Sequence, residues 1–166
     1  MSKRKTIILL LLLLILVSIL CIYYYILSNG DIELKGPYQV VRIVDGDTII
    51  LDINGINERV RLIGIDTPES VHPDPDKNVP YGKAASDFTK SMLENNQVQI
   101  ELDVQERDQY GRLLAYVYYD GEMFNKILLK EGHAVVATYP PNIKYVDDFT
   151  ALQEKARKEG KGLWGK

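Results

Sequence analysis

The residues most able to do chemistry fall in two short acidic stretches, Asp45-Gly46-Asp47-Thr48 and Asp66-Thr67-Pro68-Glu69. Carboxylates and a backbone carbonyl from two neighbouring loops form the all-oxygen donor set that suits a hard cation. Each stretch also has a purely local explanation, the first as a turn between strands and the second as a strand end stopped by proline. Zinc is a poor fit, because the chain has only His72 and His133, far apart, and a single cysteine, Cys21. Arg61 is the third informative residue. It sits in Val60-Arg61-Leu62-Ile63-Gly64-Ile65, where strand alternation predicts a face shared with Ile63 and Ile65. A guanidinium among apolar neighbours needs an anionic partner or ligand, since an unpaired buried charge is costly. The alternative is an edge-strand arginine reaching water. Arg112, in Asp108-Gln109-Tyr110-Gly111-Arg112, is either a surface turn residue or a second anion clamp.

These residues need elements to position them. Three β-rich runs, 38–44, 48–53 and 59–65, are punctuated by Asp45-Gly46 and Asn54-Gly55, both hairpin signals because these residues tolerate positive φ. A polar, proline-containing loop covers 70–80. Ala84, Phe88, Met92 and Leu93 then recur at helical spacing within 81–95. Two further strands are predicted over 98–104 and 112–119, and a short helix over 125–131, closed by Gly132. Residues 133–138 read as extended, and an amphipathic helix over 147–159 has Asp147 as its N-cap. Five strands with a helix inserted after the third match a five-stranded OB-type Greek-key barrel, here with three helices.

The chain has 166 residues, 46% hydrophobic and 26% charged, which excludes a disordered or fibrous protein. One cysteine rules out an internal disulfide. The first 27 residues hold Lys3, Arg4 and Lys5 and no acid, so the remainder has 17 bases against 23 acids, a net charge of −6. A generic polyanion binder is thereby disfavoured, and any nucleic-acid function needs a local device that overcomes the charge. Residues 6–27 are 22 residues without a charge. At about 1.5 Å per residue they match a bilayer core of about 30 Å. The bases precede this run, which places the N-terminus in the cytoplasm and the domain outside, with Tyr23, Tyr24 and Tyr25 near the outer interface. The expected organisation is a membrane anchor or signal helix over 1–28, a linker over 29–37 and one domain over 38–166. That domain is carried on the extracellular face of the membrane, or secreted if the chain is cut near Ser28-Asn29-Gly30. The exported part has no cysteine to mispair.

Taken together, Val44-Asp45-Gly46-Asp47-Thr48, the run from Arg61 to Glu69, and Tyr110-Gly111-Arg112-Leu113-Leu114-Ala115-Tyr116 resemble the staphylococcal nuclease (thermonuclease) family, as does the closing Gly162-Leu163-Trp164. The resemblance implies an OB-fold barrel with three helices and Ca²⁺-dependent cleavage of single-stranded or locally unpaired DNA and RNA, by a monomer, leaving 3′-phosphate products. By the same resemblance, Asp47 and Asp66 are calcium ligands with the Thr67 carbonyl, and Asp45 stands behind them. Arg61 and Arg112 are phosphate clamps, Glu69 is the general base, and Tyr110 and Tyr139 flank the substrate. Two positions depart from the family. Its second cleft tyrosine aligns with Ala137, and a lysine before the first is replaced by Gln109, so weaker substrate affinity is expected. The competing reading is a non-catalytic nucleic-acid- or protein-binding module on the same barrel, tethered to the membrane. Such a module has no need of Asp47, Asp66, Glu69, Arg61 and Arg112, all of which this chain keeps.

Overall fold

The computed structural model describes residues 3–28, 32–68 and 80–165. By its internal contacts the chain divides into two units, Met1–Glu33 and Leu34–Lys166. The first is helix α1 (Lys3–Ser28), in which Ser18 returns its hydroxyl to the Ile15 carbonyl at 2.7 Å, so the one polar side chain in mid-run is satisfied on the helix itself. Its described apolar side chains are all exposed. Interrupted by Ser18, they extend over 10–24, about 22 Å of helix. Among the described residues no helix is long and apolar enough to cross a membrane.

The second unit is a closed barrel. Strands β1 (Lys35–Ile43), β2 (Thr48–Ile53) and β3 (Ile56–Leu62) form an antiparallel meander, and β1 also pairs with β5 (Gln97–Glu101), which pairs with β6 (Leu113–Tyr119). Parallel pairing of β3 with β6, Val60 to Leu113 and Leu62 to Ala115, closes the circuit. Such closure of five strands, with a helix between the third and fourth, is the expected OB barrel. Two further short strands, β4 (Ile65–Asp66) and β8 (Val135–Val136), pair beside it, and β7 (Glu122–Met123) hangs on β6. Alternation fills the interior: Ile49 and Leu51 from β2, and Val60 and Leu62 from β3, are fully buried. Asn54 and Gly55 both take positive φ, the two-residue hairpin that the sequence signals, with Asp52 accepting the Gly55 N–H at 2.7 Å.

Helix α2 (Pro80–Leu93) follows the acidic loops, and α3 (Phe124–Lys130) and α4 (Val146–Lys158) close one end of the barrel. Asn125, fully buried, donates to the Ile63 carbonyl at 2.9 Å and accepts the Val117 N–H at 3.0 Å, fastening α3 to both strands of the seam.

Three expectations are corrected. The third strand does not run to residue 65: it stops at Leu62, turns at Ile63-Gly64 and resumes as β4. Gly64 has φ +78, and a Cβ there would lie 2.6 Å from the Phe149 ring, so no side chain fits. Consequently Arg61 does not share a face with Ile63 and Ile65. Val60 and Leu62 take the core side, and Arg61 points outward. The fourth strand ends at Glu101 rather than 104, where that carboxylate is buried by the hydroxyls of Tyr118 (2.7 Å) and Tyr145 (2.9 Å). Helix α4 starts after Tyr145 with no side-chain cap. Asp147 is instead in its first turn, where its charge still meets the positive end of the helix.

Candidate functional site

The loop between β1 and β2 is drawn tight, with the amides of Val44 and Asp45 both donating to the Thr48 carbonyl and Asp45 Oδ1 accepting the Asp47 N–H at 3.2 Å. Gly46 sits against Thr67: a Cβ there would meet Thr67 Oγ1 at 2.7 Å and Cγ2 at 2.8 Å. Thr89 of α2 donates its hydroxyl to the Gly46 carbonyl at 2.7 Å, and the Asp47 carbonyl accepts the Leu62 N–H at 2.9 Å. These bonds set Asp47 under the second acidic stretch, where its Oδ2 accepts the Thr67 N–H at 2.7 Å. The two acidic loops are therefore joined through one carboxylate.

Arg61 bridges that carboxylate to the next. One guanidinium nitrogen lies 2.7 Å from Asp47 Oδ2, the other 2.7 Å from Asp66 Oδ1, and the side chain is 14% exposed. Three carboxylates, of Asp45, Asp47 and Asp66, thus border one polar cavity of about 190 Å³ together with Arg61 and Arg112. Positive charge is undersupplied. Burial pushes the Asp47 carboxyl up to about 7, with the charges of Asp45 and Asp66 adding to the rise and Arg61 and the Thr67 N–H opposing it. A cavity whose electron-pair donors are oxygens and whose acids outnumber its arginines fits a hard divalent cation. Among the described residues no three acidic, His or Cys side chains converge as a complete metal cage. Such a cation therefore has to complete its shell with backbone carbonyls and water, as hard cations do. Thr67, whose carbonyl is the expected third ligand, is buried in the cavity wall. Glu69 lies outside the described residues, and Pro68, next to it in sequence, lines the cavity.

Arg112 enters from the other strand of the parallel seam. Asp108 organises its turn, accepting the Tyr110 and Arg112 amides at 2.9 Å and the Arg112 Nε at 2.6 Å, while Gly111 takes φ +79. Among the described residues the two terminal nitrogens of Arg112 have no hydrogen-bond partner. Arg61 and Arg112 also border a larger cleft of about 460 Å³, and so do Gln109, Tyr110 and Tyr139. Tyr110 and Tyr139 are 76% and 73% exposed, aromatic faces with nothing of the protein over most of their surface. Ala137, which donates its N–H to the Gly64 carbonyl at 3.0 Å, is not among the cleft walls. The Tyr139-Pro140-Pro141 corner carries a cis bond at Pro140-Pro141.

Arg61, Arg112, Asp45, Asp47, Asp66 and Thr67 are thus brought to one cavity, with Tyr110 and Tyr139 on the adjoining cleft. Sequence reasoning missed three supporting residues. Asp108 has a turn signal, an aspartate three residues before Gly111. Thr89 has none, being one polar residue on a helix. Asn142 locks residue 105 to the far side of the cleft through two bonds of 2.8 Å, which no local pattern announces. Paired guanidiniums facing a cation-accepting pocket are equipped to hold an anionic group and stabilise charge that develops on it.

The family model described as Staphylococcal nuclease homologue matches residues 59–166. The chain is 50% identical over 127 residues to the thermonuclease of Staphylococcus hyicus, covering 76% of this chain and 75% of that protein. With the thermonuclease of Staphylococcus intermedius the identity is 52% over the same shares. Endonuclease YncB of Bacillus subtilis (strain 168) is 43% identical over 127 residues, 75% of this chain and 60% of that one.

Proposed function

Because the chain belongs to the staphylococcal nuclease family, we propose that this phosphodiester-hydrolysing nuclease depends on calcium, cleaves DNA and RNA by in-line attack of water, and works at the outer face of a membrane. The observation that carries the reading is the pair Arg61, in β3, and Arg112, just before β6, brought by the parallel pairing of those strands to one cavity with Asp45, Asp47 and Asp66.

A phosphodiester is already anionic, so attack must overcome repulsion and then stabilise further charge on phosphorus. Asp47, Asp66 and the Thr67 carbonyl would hold the calcium ion, which when bound would supply Lewis-acid polarisation of a phosphoryl oxygen and neutralise charge. Arg112 offers its terminal nitrogens to the phosphate. Arg61 grips it by exchanging a carboxylate contact for phosphate oxygens, a bidentate fit that lysine lacks. Glu69 orients the water and takes its proton as the new P–O bond forms. The bond to the 5′ oxygen breaks on the opposite side, that oxygen takes a proton from water to leave as the 5′-hydroxyl, and a 3′-phosphate remains. Tyr110 and Tyr139 stack bases, which favours single-stranded or unpaired substrate.

Charge makes the cation necessary for binding as well as for turnover. Asp45, Asp47, Asp66 and Glu69 against Arg61 and Arg112 give −2, and a divalent cation cancels this to 0. At an effective dielectric near 20, two unit charges about 4 Å apart interact by roughly 4 kcal/mol. At the phosphate this local neutralisation counts for more than the −6 spread over the exported part, whose distant charges are screened by salt.

The test is release of acid-soluble nucleotides from single-stranded DNA by the full chain in detergent, with calcium and with a chelator. Activity is expected only with calcium, and Glu69→Ala and Arg61→Ala are expected to abolish most of it. Oligonucleotide binding that survives chelation overturns the calcium argument, and calcium-dependent binding without cleavage returns the protein to the non-catalytic module.

The localisation rests on the first unit. Residues 6–27 lack charge over their whole length, the three bases precede them, and α1 continues through Ser28. Anchored this way, a monomeric domain faces the medium, where millimolar calcium fills weak, water-completed sites. The nuclease is expected in the membrane fraction after alkaline washing. Release by that wash, with an intact N-terminus by mass, sinks the anchor.

A further inference from the structure

The outer face of β3 carries more positive charge than the site described above uses. With Val60 and Leu62 in the core, Arg59 and Arg61 share that face, about 6.6 Å apart along the strand. One step before the Val60–Leu113 pair, the parallel register sets Arg59 beside Arg112. These two arginines, with Tyr110 and Gly111, wall a separate cavity of about 290 Å³, so Tyr110 and Arg112 border both it and the large cleft. The row continues across the barrel. Ile50 pairs with Arg59 on one side and with Arg42 on the other, on neighbouring strands about 4.8 Å apart.

Other arginines nearby are committed. Arg107 holds Glu58 through two bonds of 2.9 Å, Arg112 is fixed by Asp108, and Arg61 spans two aspartates. Among the described residues Arg59 and Arg42 are exposed and make no ion pair or side-chain hydrogen bond. Asp52, two residues beyond Ile50 on the same strand, accepts the Gly55 N–H on Oδ1. In a domain with 21 acids, two arginines left unpaired and aligned with a phosphate-facing third are placed for an anion that repeats.

We propose that the nucleic-acid strand leaves the catalytic pocket across Tyr110 and sets its following phosphates on Arg59 and then Arg42. The substrate is accordingly an extended single strand, and the exposed tyrosine carries the base between the first two phosphates. This rests on the nuclease reading but is tested apart from it.

The probe is a nuclease-resistant phosphorothioate oligothymidylate, with binding to the full chain in detergent and calcium followed by fluorescence anisotropy across a salt series. Each phosphate contact to a single strand contributes about 0.7 to the slope of log affinity against log salt. Arg59→Ala and Arg42→Ala are each expected to flatten the slope by about 0.7, and the double variant by about 1.4. Arg59→Lys, which keeps the charge, retains the slope. With cleavable oligothymidylates, the gain in kcat/KM from dinucleotide to octanucleotide shrinks several-fold in the double variant. Flattened slopes without cleavage by the wild type support the path and sink the nuclease reading. Cleavage with the slope and length gain unaltered in the double variant overturns the path and leaves the nuclease reading standing.

Discussion

Burial of Asp47 beside two other carboxylates ties the charge of the site to pH. Its carboxyl is pushed up from 3.8 to about 7, so across that window the native protein holds a proton that the unfolded chain releases. The contribution of this group to stability therefore falls as pH rises from about 4 to 7. A cation needs the carboxylate, so its binding expels the proton below pH 7. Calorimetric titration is expected to give calcium affinity about tenfold weaker at pH 6 than at pH 8. Equal affinities exclude Asp47 as a ligand. Arg61 is the counterweight, and Arg61→Ala leaves Asp47 buried without it. A loss of about 3 kcal/mol is expected in urea unfolding at pH 8, and a smaller one at pH 5, where Asp47 takes up a proton. At this scale the acidic and arginine motifs were legible because their types were out of place in β-rich sequence. The pairing of Arg61 with both aspartates was not, since it depends on two loops meeting.

Elements were legible where the signal is local. Asn54-Gly55 announced its hairpin, and helical spacing located α2, α3 and α4 to within a few residues. The end of β3 was illegible because its cause lies 85 positions along the chain, where Phe149 occupies the space a side chain at Gly64 would need. Alternation read through that turn put Arg61 on the wrong face. Gly46 is the matching case for the site: as part of Asp45-Gly46-Asp47 it reads as a turn glycine, whereas its tightest requirement is contact with Thr67. Gly46→Ala is expected to push the two acidic loops apart, to destabilise by about 1–3 kcal/mol and to weaken calcium affinity along with it. Thermal unfolding and the same calorimetry check both. Loss of stability with affinity intact separates the loop contact from the cation site.

At the scale of the molecule, composition sets the first 27 residues apart as a stretch without an acid, and internal contacts divide the chain between Glu33 and Leu34. The compact unit Leu34–Lys166 has its own closed interior. A fragment beginning at residue 34 is expected to unfold within about 2 °C of the full chain in detergent. A larger fall in the midpoint means that α1 contributes to the barrel. Topology followed from counting five strands around one inserted helix, but the seam that unites the site is a pairing between residues some fifty positions apart, invisible to any window of sequence.

That seam has a consequence for the life of the protein before it is finished. Arg61 and Arg112 become neighbours only when residues 113–115 dock beside residues 60–62. A nascent chain whose second guanidinium is still unsynthesised lacks the pair that faces the cavity. The pair of guanidiniums is thus a product of the last closure of the barrel, and exists only once it shuts.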